Sequence, residues 1–211
     1  MEKEIAGIRL PDSRLALEAT ELAREASSPM LFNHVMRSYF FGELLARTRG
    51  LKYDSELVYL ATVLHDLGLT ERFRGPFRFE VDGANAAREF LKARGVPPEN
   101  TTLVWDAIAL HSSPGIALHK EPEVVVAALG IGIDVPGFGA DELPSGALEQ
   151  VVAAYPRLRF KTAFMDQLIE MAKRKPQVTF GSFLVDVGYR HVPGFSCPNF
   201  CDLMTGAPFA E

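Results

Sequence analysis

The chain of 211 residues is 47% hydrophobic and 23% charged, with a formal net charge of −5 and only two cysteines. That balance belongs to a globular protein large enough to bury a core unaided, and it excludes a disulfide framework. The acidic balance also excludes a general nucleic-acid binder, which needs a basic stripe, though not a small anion met by a local arginine cluster. No apolar run approaches the ~18 residues of a membrane span. Met1 to Leu10 lacks the apolar stretch of a secretory signal. The expected setting is cytoplasmic and reducing, with a small-molecule substrate, no nucleic-acid or membrane partner, and room for a homo-oligomer.

Gly, Pro and Asx punctuation predicts about eight or nine helical segments. Pro11-Asp12-Ser13 opens a helix to about Ala26, and Ser27-Ser28-Pro29 breaks it. A second helix runs from near Leu31 to Gly50, a C′ glycine, with His34, Arg37, Ser38, Phe41 and Leu45 on one stripe. Asp54-Ser55-Glu56 starts a third, which stops near Gly68. Leu69 to Val81 is aromatic and basic without periodicity and reads as a loop. Asp82 reads as the N-cap of a helix through Ala93, ended by Gly95-Val96-Pro97. Pro98 sits as the first residue of a helix reaching His111. Ser112 to Glu121 reads as a loop, and Pro122 opens an apolar helix to Asp134. Leu143-Pro144-Ser145, Phe160 to Lys175 and Val178 to Tyr189 supply three more amphipathic segments, and the tail after His191 reads as extended. No run shows sustained strand alternation. The expectation is all-α and a single domain over 1–211.

Chemistry concentrates at three helix positions. His34 lies on an apolar stripe, His65-Asp66 closes an apolar helix, and Asp134 closes another. Such groups are costly to bury unpaired, and one divalent cation would satisfy all four. Each feature alone has a plainer reading. A histidine on an apolar face is commonly a hydrogen-bonded core residue, and an aspartate after an apolar run is commonly a cap or turn residue.

The ordered set His34, His65-Asp66, Asp134 resembles the HD superfamily of metal-dependent hydrolases. Four blocks are similar to its cyanamide-hydratase-like branch. They are Asn33-His34-x-x-Arg37-x-Tyr39-x-Phe41-Gly42, His65-Asp66-Leu67-Gly68-Leu69-Thr70, Arg78-Phe79-Glu80-Val81-Asp82-Gly83-Ala84, and Trp105-Asp106-Ala107-Ile108-Ala109-Leu110-His111. The resemblance spans roughly residues 29 to 140 and implies an all-helical HD bundle, with a C-terminal helical extension over about 141–211. It implies His34, His65, Asp66 and Asp134 as ligands of one divalent transition metal. Mixed nitrogen and oxygen donors favour zinc, with manganese or iron as alternatives. Some HD hydrolases carry a lysine or acid three or four positions after the histidine of the His-Asp pair; Gly68 and Leu69 stand there in this chain.

Beyond the ligands, the candidate catalytic residues are Asp66 and His111 for proton transfer, Arg37 for orienting substrate or a ligand carboxylate, and Thr70 for orienting water. Thr70 also fits a turn residue bonded to its own backbone. Phe73, Phe77 and Phe79 with Arg72, Arg74 and Arg78 could roof a pocket or receive a phosphate, or simply form an anchored basic loop. His191 with Cys197 and Cys201 lacks a fourth zinc ligand, and His119 reads as solvated. The leading expectation is water addition or hydrolysis on a small nitrile- or amide-like substrate. The alternatives are a phosphohydrolase acting on a nucleotide or other small phosphate ester, and a non-catalytic, metal-stabilised ligand-binding module.

Overall fold

The computed structural model describes residues 4–209. The chain divides into two compact units, Met1–Phe160 and Lys161–Glu211. The first unit opens with an antiparallel pair, β1 (Glu4–Ile5) and β2 (Ile8–Arg9), in which Ile5 faces Ile8. Two residues per strand are too few for alternation to show in the sequence. Among the described residues everything else regular is helical, as expected for an all-α protein. Among the described residues no helix is long and apolar enough to cross a membrane.

Helix α1 (Arg14–Ala26) starts at Ser13, whose side chain accepts from Ala16 N–H. Ser28 caps α2 (Pro29–Thr48), with Pro29 in the first turn, so the same short segment ends one helix and starts the next. Asp54 caps α3 (Ser55–Leu64) through Glu56 N–H and Leu57 N–H. A 3-10 turn, Leu67–Leu69, follows. Helix α4 (Phe79–Lys92) begins ahead of the expected Asp82 cap. The reason is that Asp82 turns its carboxylate onto the preceding loop, accepting from Gly75 N–H at 2.9 Å and Phe77 N–H at 3.2 Å. Helices α5 (Pro98–Leu110), α6 (Pro114–Ala117), α7 (Pro122–Asp134) and α8 (Ala147–Ala154) complete the first unit. The short α6 lies inside a stretch expected to be loop. Helix α8 packs on α2 within the first unit.

Helix α2 is buried on nearly every side, 16 of its 20 residues being inaccessible, so it is the axis of the bundle. It crosses α7 at unusually close range. A Cβ on Gly130 would run into the Ser38 carbonyl and lie 2.7 Å from Gly42 N, and one on Gly42 would lie 2.7 Å from the Val126 carbonyl. The helices run antiparallel in steps of four residues, with Val126 beside Gly42, Gly130 beside Ser38 and Asp134 beside His34. A second close approach joins the turn after α3 to the start of α4. A Cβ on Gly68 would run into the Phe79 carbonyl, and one on Gly83 would lie 3.1 Å from the His65 carbonyl.

In the second unit, α9 (Phe160–Arg174) starts at the boundary residue and is followed by α10 (Leu184–His191) and α11 (Phe200–Thr205). The tail expected to be extended therefore holds a helix. Cys197 is buried beside the Thr179 hydroxyl at 3.4 Å, Cys201 is exposed, and both are free thiols.

The two glycines of α7 should respond oppositely to alanine. Gly130→Ala forces backbone apart and should destabilise by about 1–3 kcal/mol or more. Gly132→Ala meets nothing within 4 Å and should stabilise by roughly 0.5–1 kcal/mol through helix propensity. Urea midpoints of the two variants check this.

Candidate metal centre

His34 comes from the first third of α2, His65 caps the C-terminus of α3, and Asp66 heads the 3-10 turn. All three are essentially inaccessible. His34 Nε2 and His65 Nε2 lie 3.2 Å apart, and Asp66 Oδ2 is 3.4 Å from the first and 3.3 Å from the second. The outer nitrogens determine what the inner ones present. His65 Nδ1 lies 2.8 Å from the Thr62 carbonyl, which can only accept, so Nδ1 carries the proton and Nε2 turns a lone pair inward. His34 Nδ1 likewise donates to Asp134 Oδ2 at 2.6 Å. Both oxygens of Asp66 are buried without a hydrogen-bond donor.

Two inward lone pairs and an orphaned carboxylate are mutually unfavourable unless a cation sits among them. The edges of about 3.3 Å are those subtended by donors ~2.0–2.2 Å from a single ion. The donor set therefore fits a divalent transition metal. Among the described residues, His34, His65 and Asp66 are the group that could hold one.

The electrostatics follow the same geometry. Burial works against the Asp66 carboxylate, yet facing His65 and His34 hold it ionised, at about 2. Burial likewise opposes Asp134, but the hydrogen bonds from His34 and Arg37 hold it well below the ordinary carboxylate range. Burial depresses His34. It would depress His65 too, were it not outweighed by Asp66 next door, which raises it.

Asp134, the fourth residue of the expected set, stands beside this trio. Its oxygens face the outer nitrogen of His34, and they are further occupied by Arg37 Nε at 2.7 Å, Arg37 Nη2 at 2.8 Å and Arg157 Nη1 at 2.9 Å. It orients a ligand and is not grouped with the inner donors. Arg37 lies on that carboxylate, one of the two partners expected for it. The guanidinium is fully buried, forked onto Asp134, and donates its remaining terminus to the Tyr155 and Pro156 carbonyls at 3.0 and 3.3 Å. Its donors are taken up by Asp134 and the two carbonyls. Thr70 donates its hydroxyl to the Leu67 carbonyl at 2.6 Å, which is the turn-residue role.

His111 does lie at the centre, its ring centroid 4.8 Å from that of His65. Its Nδ1 donates to the Ile108 carbonyl at 2.6 Å, leaving Nε2 as the basic nitrogen. Burial, reinforced by His65, lowers it to about 4.

Of the loop residues, Phe73, Phe77, Arg72 and Arg74 line a surface groove with Glu18, Glu25 and Phe90, away from the ligands. Phe79 and Arg78 reach the site, the Phe79 ring 5.6 Å from His111 and Arg78 on Glu80. Two site residues carry no role in the sequence reading. Glu80 is fully buried and accepts from Ser112 Oγ at 2.5 Å and Arg78 Nη2 at 2.7 Å. Arg157 is the second guanidinium on Asp134. An acid inside the Phe79-Glu80-Val81 run was a readable sign for Glu80; nothing marked Arg157.

A buried cluster of two histidines and one carboxylate, at the meeting of three helical elements, is the candidate metal centre of an all-helical protein. A family model described as HD domain matches residues 31–149, more than half of the chain, and the chain belongs to the HD-domain family. No curated protein matches it. HD domains bind divalent metals and are typically metal-dependent phosphohydrolases.

Separate substitutions should distinguish ligand from support. Asp134→Asn should weaken divalent-ion affinity by about 10–100-fold, as loss of an outer partner does. Asp66→Asn should weaken it further still, because it alters one of the three inner donors and not an outer support. Competition with a chromophoric chelator measures both.

Proposed function

We propose that this HD domain is a metal-dependent hydrolase or hydro-lyase that adds water to a small, uncharged, nitrile- or amide-like substrate, as the resemblance to the cyanamide-hydratase-like branch implies. The observation that carries the reading is the commitment of the neighbouring arginines. Arg37 and Arg157 are bound to Asp134, and Arg78 is bound to Glu80. A phosphate would need such guanidiniums turned towards itself. An uncharged electrophile needs only polarisation, water and a route for one proton.

His34, His65 and Asp66 would hold the ion. A divalent metal there supplies Lewis acidity and lowers the pKa of water from 15.7 to ~7. Two imidazoles and a carboxylate suit zinc first, with iron or manganese next. The chain supplies the remaining steps. As the new C–O bond forms and the C≡N π bond breaks, one proton leaves the water oxygen and one arrives at the substrate nitrogen. His111 Nε2 is the group that takes and returns it, with its ring fixed by the Ile108 carbonyl and Phe79. The buried Glu80 carboxylate nearby favours the transient imidazolium. Phe79, Leu67 and Leu69, all buried, keep the surroundings dry.

Family membership favours a second reading, hydrolysis of a nucleotide or another small phosphate ester. A metal-reconstituted preparation assayed on cyanamide, small nitriles and small amides, alongside nucleoside monophosphates and a chromogenic phosphate ester, separates the two. Turnover confined to the uncharged compounds is expected, and turnover confined to the phosphates overturns the proposal. Silence on every substrate, with a melting temperature raised by metal, would instead favour a non-catalytic module. His111→Gln should lower kcat by about 10²–10⁴-fold with metal content unchanged.

A further inference from the structure

Between α8 and α9 the chain makes a tight turn that its own residues disfavour. Phe160 N–H bonds back to the Arg157 carbonyl at 2.8 Å, and the two central residues, Leu158 and Arg159, have φ of 49° and 61°. Paired positive φ is the geometry of a type I′ turn, which selects Asn and Gly because a Cβ crowds the backbone there. Leucine and arginine are poor choices for both places. Leu158 is also half exposed, so burial does not repay the strain.

What the turn achieves is to aim both of its ends at the same pair of residues. From one end, Arg157 Nη1 donates to Asp134 Oδ1 at 2.9 Å and to the Asp134 carbonyl at 3.1 Å, and Nη2 donates to that carbonyl at 3.1 Å. From the other end, the Phe160 ring lies 4.8 Å from the imidazole of His34. The Arg157 guanidinium sits over the Phe160 ring at 4.6 Å, which ties the two ends together. Immediately upstream, the Tyr155 and Pro156 carbonyls accept from Arg37, the other clamp on Asp134. His34 is thus held on one side by Asp134 and on another by Phe160, and one turn positions both.

We propose that the Arg157–Phe160 turn is a latch on the metal centre, with Arg157 a positioning residue for ion binding and the turn a reporter of occupancy. Anchoring Asp134 fixes the orientation of His34, so the latch favours the ion. By reciprocity, an ion that fixes His34 favours the closed latch against its local strain. The inference rests on the metal-centre reading and is independent of which substrate is turned over.

The test uses the full chain with Zn²⁺ and Co²⁺. Arg157→Met should weaken divalent-ion affinity by about 10–100-fold, and Arg157→Lys, which keeps the charge but not the fork, should fall between. The visible bands of the Co²⁺-loaded protein should change shape in Arg157→Met, a readout that a merely structural loss would not move. Trypsin should cut after the exposed Arg159 several-fold faster in metal-free than in metal-loaded wild type, and the difference should vanish in Arg157→Met. Unchanged affinity and spectrum in both variants, with normal binding by the wild type, overturn the latch alone. A wild type that binds neither ion overturns the latch and the metal-centre reading together. If Arg157→Met does not fold, the lysine variant decides by the same affinity measurement.

Discussion

Asp134 is a fully buried carboxylate that accepts from one imidazole and two guanidiniums at 2.6–2.9 Å. Taking one partner from such a group leaves an uncompensated charge in a low-dielectric interior, which typically costs about 3–5 kcal/mol. The network is a poor way to gain stability compared with apolar packing of the same volume. What it secures is orientation. It joins α2, the end of α7 and the segment that follows α8, and it leaves His34 one rotamer and one tautomer, with the inner nitrogen turned towards His65 and Asp66.

Glycine makes that network reachable. Asp134 is one helical turn beyond Gly130, His34 one turn before Ser38, and the axes approach closely only because neither Gly42 nor Gly130 carries a Cβ. Glycine inside a helix is less favourable than alanine by about 0.8–1.0 kcal/mol, so propensity alone does not place it there. The same logic holds across the site. Gly68 and Gly83 let the start of α4 press against the His65-Asp66 turn, which brings Phe79 beside His111 and buries Glu80 next to Ser112. A side chain at residue 68, lysine or acid, would have to displace the Phe79 carbonyl. Its absence there is a packing requirement as much as a chemical choice.

Much of this was legible in the sequence, and the failures have physical causes. Ser13 and Asp54 stand at helix starts as expected, and Pro98 and Pro122 sit in first turns, whereas Ser28 and Pro29, read as a break, begin α2 ahead of the expected Leu31. His34, His65 and Asp66 meet as the motif order implies. Asp134 meets the outer nitrogen of His34. A motif records that a buried carboxylate must accompany a histidine and does not record which ring nitrogen it faces. Asp82 looked like a helix cap because its partners, Gly75 and Phe77, precede it in the chain, and that displaced the start of α4 and hid Glu80 in a supposed loop. Arg157 follows Tyr155-Pro156 with no periodicity to place it on any face. Its role exists only through a contact with a residue 23 positions earlier.

The disposition of charge also constrains the chemistry. Phosphoryl transfer distributes negative charge over several oxygens and is catalysed chiefly by donors already aimed at them. Around this centre the strong donors are aimed elsewhere: two guanidiniums at Asp134 and one at Glu80. To serve a phosphate, Arg78 would have to leave a fully buried glutamate that also accepts from Ser112, stranding that carboxylate. Arg37, inaccessible and forked, would have to abandon the group that orients a metal ligand. An uncharged substrate asks for neither rearrangement. It needs a polarised carbon, a dry wall such as Phe79 provides, and an imidazole whose outer nitrogen is tied down and whose inner nitrogen is unprotonated, which is the state in which Ile108 holds His111.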